Sequence, residues 1–348
     1  MIKIFIDPRA KISYASYYLY GLYKIYGRKR VRFSMKYFKD LVQKSVIDDF
    51  DHYFAYIYLD GGKVSKRIVV DYRDNDTINL PALEWCNTYG KVNYNSKSIR
   101  SSNIPLDSRY KIIPLGPNFG VKIWTKPESI LYFTANFLKS WRYLPTSLRQ
   151  FFAGYHWQMK RLPLDKYLTS NAQDNYIFFI SSLYGDKFKN HTNTNHFRAI
   201  FIRACKKNSS IKFDGGLLIN RNSGSEWSKY EDIVTNQYIK AREYVERIRK
   251  SIVVFNTPAL WGCHGWKLGE FLAMGKAIIS TSFRNEMPIP LSHGKNIHFI
   301  NADDNLDVIL GHFVNNPSYR HDLELGAKAY FEQYLAPDKV VLRLIGQP

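Results

Sequence analysis

The sequence predicts an α/β protein made of two doubly wound, Rossmann-like domains, and three observations carry that reading. Short runs rich in Val, Ile, Phe and Tyr alternate with segments of helical period along most of the chain. A length of 348 residues favours two domains over one. The stretch from Ser251 to Ser282 runs strand, loop, helix, strand, which is the unit such folds repeat. The expected domains are 1–165 and 166–348, with the last residues crossing back to the first.

Taken in order, strands are expected at Lys3 to Ile6, Val31 to Ser34, Tyr53 to Leu59, Arg67 to Asp71, Lys91 to Tyr94 and Lys111 to Leu115. Between the first two, Tyr14, Tyr18, Gly21, Leu22 and Ile25 fall on one side of a helix from Tyr14 to Tyr26. The interval from about Lys139 to Leu164 holds Pro145 and Pro163 and resembles a linking region. A second alternating set opens at Tyr176 to Ser181. It continues with a helix near Asn195 to Lys206, a strand at Lys212 to Leu218 and a helix near Asn236 to Lys250. Strands at Ile252 to Phe255, Ala277 to Thr281 and Ile297 to Ile300 complete it.

The Ser251 to Ser282 stretch carries the chemistry. Asn256-Thr257-Pro258 breaks its first strand, and Leu268, Phe271 and Leu272 recur at i, i+3 and i+4 as the packed side of a short helix. Gly275 then closes the helix where a left-handed residue is needed. A crossing of this kind points a helix N-terminus over the carboxyl edge of a parallel sheet, where free amides and the positive dipole end favour a pyrophosphate. Lys267 and Glu270, three apart, share a face, one suited to phosphate oxygens and the other to sugar hydroxyls. That outlines a nucleotide-sugar site, and the plainer alternative is an ordinary crossover with a salt-bridged Glu.

The segment H-G-W-K-L-G-E-F-L-A-M-G-K-A-I-I-S-T resembles the donor-binding motif of GT-B glycosyltransferases, the glycogen-synthase-like and capsule-assembly enzymes of family 4 and its relatives. Pro288 to Ile300 is also similar to the segment that follows in such enzymes, so the resemblance covers roughly the last third of the chain. It implies two sheets facing across a cleft, a nucleotide-sugar donor, a glycan or lipid-linked acceptor, no cofactor and no catalytic metal. It further implies that Glu270 holds the ribose and that a basic pair near Ser181 to Lys187 steadies the pyrophosphate, with Lys187 the candidate and Lys189 its rival. Family members often carry another Glu eight residues before the ribose Glu. Gly262 stands there, beside Cys263 and His264, so the resemblance fixes neither the donor sugar nor the stereochemical outcome. The implied setting is bacterial surface polysaccharide synthesis, such as capsule or lipopolysaccharide, in the cytoplasm or at the inner face of the cell membrane.

Other candidates sit at strand ends. Asn256 and Thr257 meet the base or the phosphates, or serve as turn residues; Gly265 contributes with the motif-helix amides. His264, at the turn into the helix, is a catalytic candidate with a structural alternative. In the first half, Asp74 is the candidate base for an acceptor hydroxyl, with Asp71 and Asp76 behind it; turn and N-cap chemistry explains the same loop. Arg73, Gly116 and Asn118 are the acceptor-binding candidates. Asp74-Asn75-Asp76 has the spacing of a metal motif, but no metal is expected.

Composition narrows the partners. The formal net charge is +20, and Tyr occurs 26 times. Residues 1–165 hold 27 Lys+Arg against 13 Asp+Glu, an excess of 14, and the remainder 23 against 17, an excess of 6. A basic, aromatic-rich half is a footprint for an anionic partner. Tyr14 to Lys39 and Lys139 to Arg161 combine aromatics and cations as segments at an anionic membrane surface do. The same residues would suit a nucleic-acid groove, the less favoured partner. No run approaches the roughly 20 apolar residues of a spanning helix. M-I-K-I-F-I-D is too short for a signal peptide, and Cys86, Cys205 and Cys263 imply no disulfide framework or zinc cluster. Two other functional readings remain: a sugar-nucleotide epimerase of the same fold, and a basic protein that binds or modifies nucleic acid.

Overall fold

The computed structural model describes residues 2–42, 45–46, 49–50, 53–173, 175–185, 193–219 and 223–346. The chain divides into two compact units. One comprises Met1–Leu164, Asn285–Ile289 and Gln333–Pro348, and the other Asp165–Arg284 and Pro290–Glu332.

The first unit begins β1 (Lys3–Ile6), α1 (Ile12–Tyr26) and β2 (Val31–Phe33), followed by a small antiparallel pair, β3 (Ser45–Val46) and β4 (Asp49–Phe50). Next come β5 (Tyr53–Asp60), β6 (Lys63–Asp71), α2 (Leu80–Trp85), β7 (Thr88–Lys91), α3 (Ser96–Ser101), α4 (Leu106–Arg109) and β8 (Ile112–Pro114). The helices α5 (Lys126–Ser140) and α6 (Leu148–Met159) follow. The main sheet has the order β2-β1-β5-β6-β7-β8. Its pairings are parallel except those of β5, which runs against both β1 and β6. The cause is local: Gly61 and Gly62, at φ 56° and 86°, turn β5 straight into β6, and so short a turn can only join antiparallel strands.

Two expectations shift. The strand expected from Lys91 ends there instead, because Asn95 caps α3 by accepting the Ser98 amide at 3.0 Å. The interval expected to link the domains holds α6, opened by a capping box between Ser147 and Gln150. Pro145 and Pro163 bracket that helix rather than interrupt it.

The second unit runs β9 (Tyr176–Ser182), α7 (Thr194–Lys207), β10 (Lys212–Leu218), β11 (Val234–Thr235), α8 (Ala241–Lys250), β12 (Val254–Asn256), α9 (Trp266–Met274), β13 (Ile278–Thr281) and β14 (His298–Ile300). The helices α10 (Leu306–Asn315) and α11 (Pro317–Tyr330) close it. Strands β11-β10-β9 and β12-β13-β14 form two parallel sets. A bond from the Ile252 amide to the Tyr176 carbonyl, 2.9 Å, joins them. The chain therefore winds outward in one direction from β9 and in the other from β12. The crevice between such strands is where open α/β sheets hold ligands. Beneath it Phe201 stacks on Phe255, ring centroids 4.3 Å apart, among Ile177, Ile202 and Val253.

The chain then returns to the first unit as α12 (Pro337–Leu344). The Pro337 carbonyl lies so close to Gly21 of α1 that any Cβ there would clash. The Tyr17 hydroxyl donates to the Leu335 carbonyl beside it. Each unit is thus a doubly wound α/β layer structure, and the first carries one reversed strand.

Candidate functional site

Helix α9 forms as its sequence requires. Leu268, Phe271, Leu272 and Met274 are buried, and Gly275, at φ 60°, donates its amide to the Phe271 and Leu272 carbonyls. The loop before it doubles back on itself, the Ala259 amide donating to the Cys263 carbonyl at 3.0 Å. Trp261 and Gly262 lie at its tip, both at positive φ, 62° and 70°. Asn256 ends β12 with its side-chain amide on Ser280 Oγ at 2.9 Å. A shallow recess is lined by Asn256, Thr257, Gly262, His264, Gly265 and Phe283. The His264 ring is buried there, edge-on to Phe283 with centroids 5.3 Å apart.

Two cations define the site. Arg198, on α7, is 4% exposed. Its guanidinium donates to Thr257 Oγ1 at 3.0 Å and to the Ser182 carbonyl at 2.7 Å, and lies 4.7 Å over the Tyr184 ring. It thereby touches the ends of both β9 and β12. Lys267, at the second position of α9, donates to the Ile180 carbonyl and sits 5.4 Å over the Phe179 ring. Among the described residues no carboxylate pairs with Arg198. Burial, and then the neighbouring Arg198 charge, push the Lys267 ammonium down to about 7 against the opposing pull of Glu270. Glu270 is buried one turn along the same helix. Burial, and then the Glu270 charge, raise the neighbouring Tyr244 hydroxyl well above its ordinary range. Among the described residues the balance is two basic side chains, Arg198 and Lys267, against one carboxylate, Glu270, in a buried corner. A cluster of that kind stabilises an incoming anion of more than one charge.

The structure brings Asn256, Thr257, His264, Gly265, Lys267 and Glu270 together at this sheet edge. Lys187 and Lys189 lie outside the described residues. Arg198 is the residue that sequence reasoning missed, although its position was visible: Phe201, Ile202 and Cys205 stand three, four and seven residues on, all fully buried. A lone arginine on the apolar face of a helix is the signal.

The first-unit candidates are distributed differently. Asp71 is fully buried, 2.7 Å from the Arg73 guanidinium and 3.0 Å from Lys91, and it accepts from the Tyr89 hydroxyl at 2.5 Å. Burial alone would raise its carboxyl, but Lys91 and Arg73 hold it well below the ordinary range. Arg73 is committed to Asp71 and to the Thr77 carbonyl, and Asp76 accepts from Ser98 Oγ at 2.7 Å. Asp74 is exposed on the same loop. Gly116, at φ 75°, packs against Leu335 and Pro288, and Asn118 is buried. Among the described residues no group of His, Cys, Asp and Glu side chains is placed to hold a metal ion.

No protein-family model matches the sequence, and no curated protein is similar to it. Solved structures of similar shape include the C-terminal domain of a glycosyl transferase group 1 family protein, LpcC, from Francisella tularensis. It is 14% identical, with TM-score 0.34, over 49% of this chain and 88% of that one. A glycosyltransferase from Rickettsia africae is 9% identical, with TM-score 0.39, over 78% of this chain and 69% of that one. Anabaena HepE in complex with UDP-glucose is 11% identical, with TM-score 0.38, over 76% and 81% respectively.

Proposed function

We propose that this protein is a glycosyltransferase whose second unit binds a nucleotide-sugar donor at the crevice between β9 and β12. The observation that supports it most is the pairing of Arg198 with Lys267, two dehydrated cations at a strand-order reversal beside the N-terminus of α9. Breaking the glycosidic bond to the donor leaves a nucleoside diphosphate whose charge grows in the transition state. Fixed cations in a dry site stabilise that charge most. In this reading Arg198 grips the diphosphate, Lys267 becomes fully protonated as the charge arrives, and Glu270 orients the ribose hydroxyls. Asn256, Thr257 and Gly265 line the phosphate path. In the first unit, Asp74, exposed on its loop, takes the proton from the acceptor hydroxyl. His264 contacts the donor sugar or its phosphate. Arg198 and Lys267 supply the positive charge, so the reaction calls for no metal. The acceptor is a glycan or lipid-linked sugar, Asn118 and Gly116 contribute to its site, and bacterial surface polysaccharide is the product class.

The test is a thermal-shift screen of UDP-, GDP-, dTDP- and CMP-sugars with wild type and Glu270→Ala, followed by assay of nucleoside diphosphate release with candidate acceptors. One diphosphate donor should raise the melting temperature by mass action, with CMP-sugars, which lack the second phosphate, giving little. Stabilisation by none of them, or by CMP-sugars alone, defeats the reading.

A further inference from the structure

Helix α5 is built inside out. Its fully buried side chains are Ser129, Asn136 and Ser140. Polar contacts hold it to α6: Ser129 Oγ donates to Gln158 Oε1, and the Asn136 amide to the Tyr155 hydroxyl, each at 3.0 Å. Aromatic packing adds to these, with the Tyr132 ring stacked 4.2 Å from Trp124 and Phe133 edge-on to Phe152 at 5.0 Å. The outer face carries Leu131, Leu138 and, just past the helix end, Trp141. A spacing of seven and then three residues keeps them on one stripe, and they are 67%, 66% and 56% exposed. An amphipathic helix ordinarily turns such a stripe inward. Here the inward side is taken up by these polar and aromatic contacts, so the apolar stripe is left facing outward. Leu148 and Trp157 of α6 are likewise exposed.

The charge on this hairpin has one sign. Residues 126–161 contain Lys126, Lys139, Arg142, Arg149, Lys160 and Arg161 against Glu128 alone, and Glu128 pairs with Arg28 at 2.7 Å. Each exposed indole carries a cation: Arg142 lies 5.0 Å over the Trp141 ring and Lys160 5.0 Å over the Trp157 ring. Self-association would bring like charges together, and a nucleic acid would leave Leu131 and Leu138 in water. An anionic bilayer satisfies both features, with rings and leucines at the acyl boundary and cations at the headgroups.

We propose that the α5–α6 hairpin docks this protein on an anionic lipid bilayer through the Leu131–Leu138–Trp141 stripe and its surrounding cations. This stands apart from the donor reading, since it concerns other residues and is tested without nucleotide. The experiment is co-sedimentation of the full chain with phosphatidylcholine vesicles, with and without phosphatidylglycerol. Binding should require phosphatidylglycerol and weaken as salt rises, and each of Arg142→Gln and Lys160→Gln should weaken it about fivefold. Leu131→Gln combined with Leu138→Gln should remove it, while the melting temperature holds because both positions face solvent. In the wild type, brominated acyl chains should quench a tryptophan signal that Trp141→Phe reduces. Equal binding to neutral vesicles, no binding at low salt, or no quenching overturns the proposal. So does a dimer in light scattering that the double leucine variant dissolves, or salt-sensitive duplex DNA binding in place of vesicle binding.

Discussion

Replacing Arg198 by Gln separates function from stability, because the two should move in opposite directions. The guanidinium is 4% exposed and is held by a carbonyl at 2.7 Å and a hydroxyl at 3.0 Å. No carboxylate among the described residues offsets its charge, and burial depresses its protonation. A buried charge without a partner costs several kcal/mol. Gln removes that cost and keeps a donor for one of the two acceptors, while leaving the other acceptor unsatisfied costs about 1–3 kcal/mol. The unliganded variant should therefore melt close to wild type or above it. Ligand binding should suffer. A hydrogen bond to a charged group is worth about 1.5–3 kcal/mol, so removing one guanidinium–phosphate bond weakens the nucleoside diphosphate Kd about 10- to 150-fold. Isothermal titration gives the Kd, and urea unfolding without ligand gives the stability. A variant that is severely destabilised yet binds nucleoside diphosphate like wild type would refute the reasoning, since Arg198 would then be structural.

Lys267 makes binding pH-dependent. With its ammonium near 7 in the free protein, the diphosphate must drive proton uptake above that pH. Affinity should fall by up to about tenfold per pH unit from about 7 upward, and Lys267→Met should flatten the profile, as titrations at several pH values would show. Glu270→Ala should weaken nucleoside diphosphates while leaving inorganic pyrophosphate bound, a split that direct competition measures. Asp71→Asn breaks a buried pair with Lys91 at 3.0 Å and Arg73 at 2.7 Å and should cost about 3–5 kcal/mol in urea unfolding. The Asp71 carboxyl lies below its unfolded value in the native protein. Its contribution is thus fully present above about pH 4 and is lost as pH falls toward the depressed native value, so the gap between wild type and variant should narrow in acid.

Much of the fold could be read from the chain, and the misses have physical causes. Strands such as Lys3–Ile6 and helices such as Ile12–Tyr26 follow from β-branched runs and apolar period. The reversal of β5 was written in Gly61-Gly62, but alternation alone suggested a uniformly parallel sheet. The α6 helix hid behind Pro145 and Pro163, which mark its borders. In the site, Lys267 and Glu270 were legible from their spacing, because a helix dictates which residues share a face. Arg198 was not picked out, since it comes from a helix about 60 residues before Thr257 and meets it only through sheet order. The commitment of Asp71 to Lys91 is equally non-local, an ion pair across two neighbouring strands.

The most direct test of the Arg198–Lys267 site is titration of UDP, GDP and dTDP, each beside its monophosphate and nucleoside, into wild type, Arg198→Gln and Lys267→Met. One diphosphate should bind wild type well and its nucleoside poorly, with both variants at least about tenfold weaker on the diphosphate. Failure of every diphosphate to bind, or binding that neither substitution weakens, would contradict it.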